Sequence, residues 1–412
     1  MIKPKHTLLV LIAVFLLLGI ISLIIPDDGW KINKHITINF PTFKTLINPD
    51  DPDYKDISQI VNKHADTTSL SRIDTTTTKP DTVRANADSL QQITHKLMMT
   101  SQGRDKLHAF FKKLQDASNA QKPVRIWHYG DSQIESGRIT SFLRERLQST
   151  FGGQGPGLLS LYPVTQKLSW RIHPDGNWER HTLFGKIDTT LPHHRFGPLL
   201  AINRFAPFHN DSIPNDSLIY KGSVNVKNSF QGYKHTHQFE RAILHYGNNY
   251  RPVQVKVTDK EEERIHTDSL SPAINEYNMW QIPVDPGKSE FTLHFTGYDS
   301  PDFYGLSLES SNGVMVDNIP LRGSSGLIFT RINYNYYLQQ IKQFDVDLII
   351  LQFGVNVVSD EREDFSYYER WIYNQLNTLK KMHPEMPVIV IGLSDMAKKA
   401  GTNYKSYESV TR

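Results

Sequence analysis

Residues 123–132 read PVRIWHYGDS, from Pro123 to Ser132, and this stretch decides the fold. Val124, Ile126, Trp127 and Tyr129 are β-branched or aromatic, the composition of a strand. Gly130-Asp131-Ser132 follows at once as a tight turn. Ile139, Phe142, Leu143 and Leu147 then keep the spacing of one helix face. The order strand, glycine turn, serine, helix puts Ser132 at the carboxyl end of a strand, where open α/β sheets bind ligands. Backbone N–H groups and the dipole of a helix start favour an anion there. A serine hydroxyl needs a base to become nucleophilic and donors to hold the oxyanion it creates. Asp131 or Ser132 acting as a plain helix cap is the competing reading of the same residues.

The pattern recurs downstream. Residues 347–353 (DLIILQF) form an apolar run of the kind found in buried parallel strands, and they end in Gly354-Val355-Asn356. Residues 387–393 (PVIVIGL) form another, ending in Ser394-Asp395. Between them, 365–382 has helical spacing through Trp371, Leu376 and Leu379. Residues 313–319 (GVMVDNI) read as a strand that exits through Pro320-Leu321-Arg322-Gly323. This succession predicts a doubly wound parallel α/β sheet with Ser132, Gly323 and Asn356 at its strand tips. A helix pattern over 89–116 leads into it, and 403–412 reads as the start of a further helix.

Residues 162–310 break this rhythm. Short alternating runs at 242–246 (AILHY), 253–257 (VQVKV) and 291–295 (FTLHF) are separated by Gly, Asn, Asp and Pro. They predict an inserted antiparallel β-sandwich. Its aromatics include Trp170, Trp178, Phe230, Tyr233, Phe239, Tyr246, Tyr250 and Trp280; exposed ones would stack on sugar rings, buried ones would fill the core. His235-x-His237 would face one side if it lay on a strand, but no third ligand has a matching spacing, and no metal or cofactor is expected. His193-His194-Arg195 would border the cleft if the sandwich packs on the strand tips. Gly305-Leu306-Ser307 and Gly392-Leu393-Ser394 lack the closing glycine of a nucleophile elbow and read as ordinary serines.

With these residues in place, the chain resembles the SGNH (GDSL-like) hydrolase superfamily. Gly130-Asp131-Ser132 matches its first block, and Gly354-Val355-Asn356 matches its G-x-N block, although Val357 stands where that family has aspartate. The stretch 129–135 (YGDSQIE) is similar to bacterial cell-wall and polysaccharide O-acetylesterases of that superfamily, some of which carry an inserted β-sandwich. The resemblance implies a flavodoxin-type three-layer α/β/α fold over about 121–160 and 311–400. It implies Ser132 as nucleophile, Asn356 as a side-chain oxyanion donor and a second-block glycine N–H as another. Gly323 is the choice for that glycine, with Gly313 and Gly326 as competitors. Gly130, Asp131 and Gly354 would support the turns. The family's D-x-x-H block does not occur after Asn356; His383, the only histidine there, reads as a helix cap. The base and its orienting acid are therefore expected beyond residue 412.

Residues 7–25 (TLLVLIAVFLLLGIISLII) carry no charge and would span about 28 Å as a helix at about 1.5 Å per residue, the thickness of a bilayer core. Lys3 and Lys5 precede them, Asp27 and Asp28 follow, and no A-x-A site appears. This predicts an uncleaved single-pass anchor in the inner membrane with the body exported to the periplasm, rather than a cleaved signal peptide. The polar, Thr- and Pro-containing run at 67–88 predicts a stalk. Asp and Asn at 48–56 lack the glycine and glutamate of a calcium loop and read as a solvated turn. Five segments result: anchor 1–25, stalk 26–100, hydrolase first part 101–161, sandwich 162–310, hydrolase second part 311–412.

The 412 residues include 46 Lys and Arg against 43 Asp and Glu and no cysteine. A near-neutral sum without a basic block argues against nucleic acid. The absence of cysteine excludes disulfides, thiolate zinc and a cysteine nucleophile. The expected function is an exported serine esterase acting on an O-acetylated glycan. An O-acetyltransferase of the same fold and a noncatalytic envelope glycan-binding protein are the alternatives.

Overall fold

The computed structural model describes residues 30–33, 36–38, 97–185, 188, 191–208, 217–359, 364–393, 396–400 and 403–406. Residues 1–94 and 95–412 form two separate units. In the first, β1 (Trp30–Asn33) pairs antiparallel with β2 (Ile36–Ile38). The expected anchor at 7–25, the turn at 48–56 and the Thr-rich run at 67–88 lie outside the described residues. Among the described residues no helix is long and apolar enough to cross a membrane.

The second unit begins with α1 (Ser101–Gln115). The Thr100 hydroxyl accepts from the Gly103 N–H, which fixes the start of α1 inside the longer helix expected from 89 onward. Strand β3 (Val124–Gly130) comes next, then a 3-10 turn over Ser132–Gly137 and α2 (Thr140–Phe151). An antiparallel region follows. It comprises β4 (Gly157–Leu159), β5 (Trp170–Gly176), β6 (Glu179–Thr182), β7 (Ala201–Arg204), β8 (Tyr220–Asn228) and β9 (Arg241–Gly247). It continues through β10 (Val253–Thr258), β11 (Arg264–Leu270), β12 (Tyr277–Ile282), β13 (Glu290–Gly297) and β14 (Asp302–Glu309). The α/β pattern then resumes with β15 (Val314–Pro320), α3 (Tyr334–Phe344), β16 (Val346–Gln352), α4 (Ser366–Met382) and β17 (Val388–Ile391).

The four α/β strands form one parallel sheet in the order β15-β3-β16-β17. Alternation along β3 sends its side chains to two cores. Val124 and Ile126 pack with Leu107, Phe110 and Leu114 of α1, and with the half-buried Leu143 and Leu147 of α2. Trp127 and Tyr129 pack with Tyr337, Ile341 and Phe344 of α3 and with Leu379 and Met382 of α4. Helices thus cover both faces of the sheet, and every residue of β3 is buried.

The antiparallel strands form two sheets, β11-β10-β13-β8-β5 and β12-β9-β14-β7-β6, with β4 on β14. Phe291, Leu293 and Phe295 of the first face Leu244, Leu306 and Leu308 of the second in a shared core. Strand β14 is buried along its whole length because both its faces are covered. Its other face carries Ser307 and Glu309 toward the parallel sheet. Arg125 of β3 bridges there between Glu309 and Asp317, the latter at 2.8 Å. His245 of β9 bonds the Tyr277 hydroxyl at 2.6 Å and that of Ser307 at 3.1 Å, and it stacks on Phe344 at 4.5 Å.

Two local expectations are corrected. The expected stripe of α2 is split: Leu143 and Leu147 pack against the core, Ile139 and Phe142 are exposed, and the fully buried residues are Thr140, Arg144 and Gln148. Arg144 and Gln148 donate to the Val316 and Val314 carbonyls at 2.8 and 3.1 Å, so backbone acceptors compensate their burial. Residues 403–406 are not helical either. Strand β18 (Ala397–Ala400) pairs antiparallel with β19 (Asn403–Ser406).

Candidate functional site

The parallel register sets Pro320 opposite Gly130 and Gly130 opposite Gln352. Three adjacent strands therefore end level, and the turns leaving them carry the residues singled out from sequence. Ser132 lies two residues past β3, Gly323 three past β15 and Asn356 four past β16. Backbone bonds tie these turns together. The Leu321 N–H donates to the Gly130 carbonyl at 2.8 Å and the Asp131 N–H to the Gln352 carbonyl at 3.3 Å.

Ser132 is half-buried at the first position of the 3-10 turn. Its N–H has no intrahelical acceptor there. Asp131 caps the turn, its carboxylate accepting from the Gln133 N–H at 2.9 Å. Burial pushes the Asp131 carboxyl above its ordinary range, and the Gln133 N–H opposes that shift. Asp131 thus performs the capping role, which leaves the Ser132 hydroxyl unused by the backbone. One expectation is corrected here. Ser132 does not open the α-helix: Ser136 and Gly137 take positive φ, and α2 starts at Thr140. A helix dipole acts over its first turn, so the free donors at Ser132 belong to the 3-10 turn.

Gly323 is exposed with φ +74° and nothing crowding its Cα. Its rival Gly326 also has φ +81° but packs against the Phe353 ring, and Gly313 sits at the opposite end of β15. The Asn356 amide reaches the same turn and donates to the Ser324 carbonyl at 3.0 Å. An amide nitrogen has two N–H donors, so one remains for a ligand. Gly354, with φ +134°, starts that turn; a Cβ there would meet Leu393 at 2.9 Å.

Three participants were not found from sequence. Glu135 is buried, and Arg322 grips it with two bonds of 2.7 Å. This fork joins the turn after β3 to the turn after β15. The Glu135 hydrogen bond and charge hold the Arg322 guanidinium above its ordinary range. From α4, the Tyr368 hydroxyl donates to the Ser325 carbonyl at 2.7 Å. Burial pushes that phenol up to about 12, and the Asp131 charge adds to the shift. No local pattern marks any of the three. Glu135 and Arg322 are 187 residues apart, and each alone reads as a surface charge.

Among the described residues no histidine bonds Ser132. His128 bonds the Gln352 side chain at 3.1 Å. His193 is held by Asp302 at 3.0 Å and by the Arg195 N–H at 3.3 Å. The His383 ring accepts from the Met386 N–H at 3.1 Å, just past the end of α4. His235 lies on a 3-10 turn rather than a strand and pairs with Glu145 at 2.9 Å. Among the described residues no group of three or more His, Asp or Glu is placed to hold a metal ion. Ser307 is buried within β14, and Ser394 lies outside the described residues. Of the sandwich aromatics, Trp170, Trp178, Phe239 and Tyr246 fill the core, whereas Phe230, Tyr233 and Tyr250 are exposed.

No family model and no curated protein matches the chain. Among solved structures, a peptidoglycan O-acetylesterase aligns over 73% of this chain and 77% of its own, with 17% identity and a TM-score of 0.50. A family two carbohydrate esterase from Cellvibrio japonicus aligns over 54% and 78%, with 11% identity and a TM-score of 0.16. The first likeness is one of fold alone, extending over about three quarters of each chain. The second is too distant to add to it.

Proposed function

We propose that this protein is an exported, membrane-anchored serine esterase of the SGNH type that removes O-acetyl groups from cell-wall glycan or another polysaccharide. In this reading 1–25 anchor it in the inner membrane and 26–100 form a periplasmic stalk. The hydrolase parts 101–161 and 311–412 flank the sandwich module 162–310. One observation supports the reading: three level strand ends set the turns of Ser132, Gly323 and Asn356 beside one another, and the Asn356 amide keeps one N–H to spare.

The Ser132 oxygen attacks the acetyl carbonyl and passes its proton to a general base. The oxyanion accepts from the N–H groups of Ser132 and Gly323 and from Asn356. Collapse breaks the bond to the sugar oxygen, which leaves as the hydroxyl, and water then releases acetate from Ser132. The test, made on the full-length protein, is hydrolysis of p-nitrophenyl acetate, with labelling by a fluorophosphonate probe. Ser132→Ala is expected to abolish nearly all of both; equal rates in the variant and the parent protein would overturn the assignment.

A further inference from the structure

Beside the turn of Ser132 lies a cavity of about 90 Å³. Glu135, Ser136, Pro320 and Arg322 line one side, from the two turns that the Glu135–Arg322 fork joins. The antiparallel sheets supply the rest. Leu158, Phe184 and Leu199 make apolar wall, and Lys167 and Arg180 bring positive charge. Glu135, the one carboxylate among the described lining residues, is already gripped by Arg322.

Arg180 is unusual in this setting. Among the described residues it has no carboxylate partner and its buried Nε has no hydrogen bond, and its guanidinium lies over the Phe184 ring at 5.7 Å. Burial alone depresses its affinity for a proton. Lys167 donates to the Leu158 carbonyl at 2.8 Å, a neutral acceptor. Burial and the nearby Arg144 charge push its ammonium down to about 7, against a smaller upward pull from Asp317. A part-buried guanidinium and a lysine pushed toward its neutral form face the apolar cavity, and an anion bound there would favour the charged form of both. A guanidinium presents a planar fork that fits a carboxylate.

We propose that this cavity is a subsite for an acidic sugar, and that Arg180 and Lys167 bind the carboxylate of the residue next to the acetylated one. Its assignment to the esterase rests on the reading of Ser132 above; the carboxylate site itself does not. The apolar wall receives the carbon skeleton that carries the carboxylate, and the Asn318 side-chain oxygen, buried without a partner, is free to accept from a neighbouring hydroxyl.

The experiment is calorimetric titration of the full chain with trigalacturonate and, separately, with the neutral cellotriose. The acidic trimer is expected to bind at least tenfold more tightly, with the difference shrinking in added salt. Arg180→Met should bring the acidic trimer to the level of the neutral one. Removing Arg180 leaves no bonded partner behind. Arg180→Lys keeps the charge without the fork and should fall between. Lys167→Gln keeps a donor for Leu158 and should weaken the acidic trimer severalfold, which preserves the test if Arg180→Met folds poorly. Equal affinity for both trimers, or unchanged affinity in both Arg180→Met and Lys167→Gln, would overturn the proposal. Fluorophosphonate labelling of the same samples separates the two readings. Labelling of Ser132 without preference for the acidic trimer removes the subsite alone; the preference without labelling upholds the subsite and removes the esterase.

Discussion

At Asn356 the side chain has two hydrogens and one visible partner. Asn356→Ala removes the donor assigned to the oxyanion, so kcat on p-nitrophenyl acetate is expected to fall by about 10²–10³ with KM little changed, the usual loss for one such donor. An unchanged kcat would place the hole elsewhere. Arg322 is a positioning residue rather than a catalytic one. Arg322→Ala frees the turn carrying Gly323 from the turn carrying Ser132 and leaves the Glu135 carboxylate buried without its partner. A fall of about tenfold in kcat is expected, because small misplacements of reacting groups are expensive. Arg322→Lys, which cannot reproduce the fork, should recover only part. Steady-state kinetics of the three proteins decide it. What the sequence revealed at this scale follows from distance along the chain. Ser132 and Asn356 sit in short turns directly after strongly patterned strands, so their place was legible. The Glu135–Arg322 fork and Tyr368 over Ser325 depend on which strands lie side by side, and no local pattern encodes that.

Among the elements, α2 shows why a helix read from its apolar spacing was given a face only half of which packs inward. Ile139, Phe142, Leu143 and Leu147 match a helical stripe, yet the buried row is Thr140, Arg144 and Gln148. The reason lies just before β4 and along β15, where the carbonyls of Gly155, Val314 and Val316 point at the helix and need donors. Hydrophobic spacing carries no information about such a demand. The same crowding fixes the chain after α2. Gly157 has φ +73°, and a methyl there would overlap Asp317 Oδ1, which accepts from the Leu158 N–H at 2.7 Å. Gly157→Ala is expected to cost about 2 kcal/mol or more, through backbone strain and displacement of Asp317. Because Asp317 pairs with Arg125, the loss should appear as a single cooperative shift of the urea midpoint. A midpoint within error of the parent protein would show that the strand tolerates a side chain.

For the whole molecule, the interface between the antiparallel sheets and the α/β layers is polar and aromatic, and it titrates. His245 lies in it, stacked on Phe344 with Arg125 over the same ring at 5.1 Å. Burial, with the Arg125 charge adding and that of Asp317 opposing, pushes His245 down to about 3. Burial pushes His128, on the central strand, down to about 4, against its bond to Gln352. Both rings stay neutral in the folded protein at a pH where the unfolded chain, with ordinary values near 6.5, takes up protons. Their contribution is fully present above about 6.5 and is lost as pH falls toward 4, at about 1.4 kcal/mol per unit for each ring. The buried carboxylates fall in a different window. Asp302 is pulled below its ordinary 3.8 by His193 and Arg204, and Asp317 by Arg125, despite the opposing effect of burial. Their stabilisation is therefore lost only below about 3.8. Urea midpoints between pH 7 and 4.5 should consequently decline with a slope carried mainly by these two histidines. His245→Gln, which keeps a polar side chain facing Tyr277 and Ser307, should remove roughly half of that slope while lowering stability at pH 7. A slope equal to that of the parent protein would mean that His245 is already protonated in the fold, and that the interface is held by charge rather than by a neutral ring.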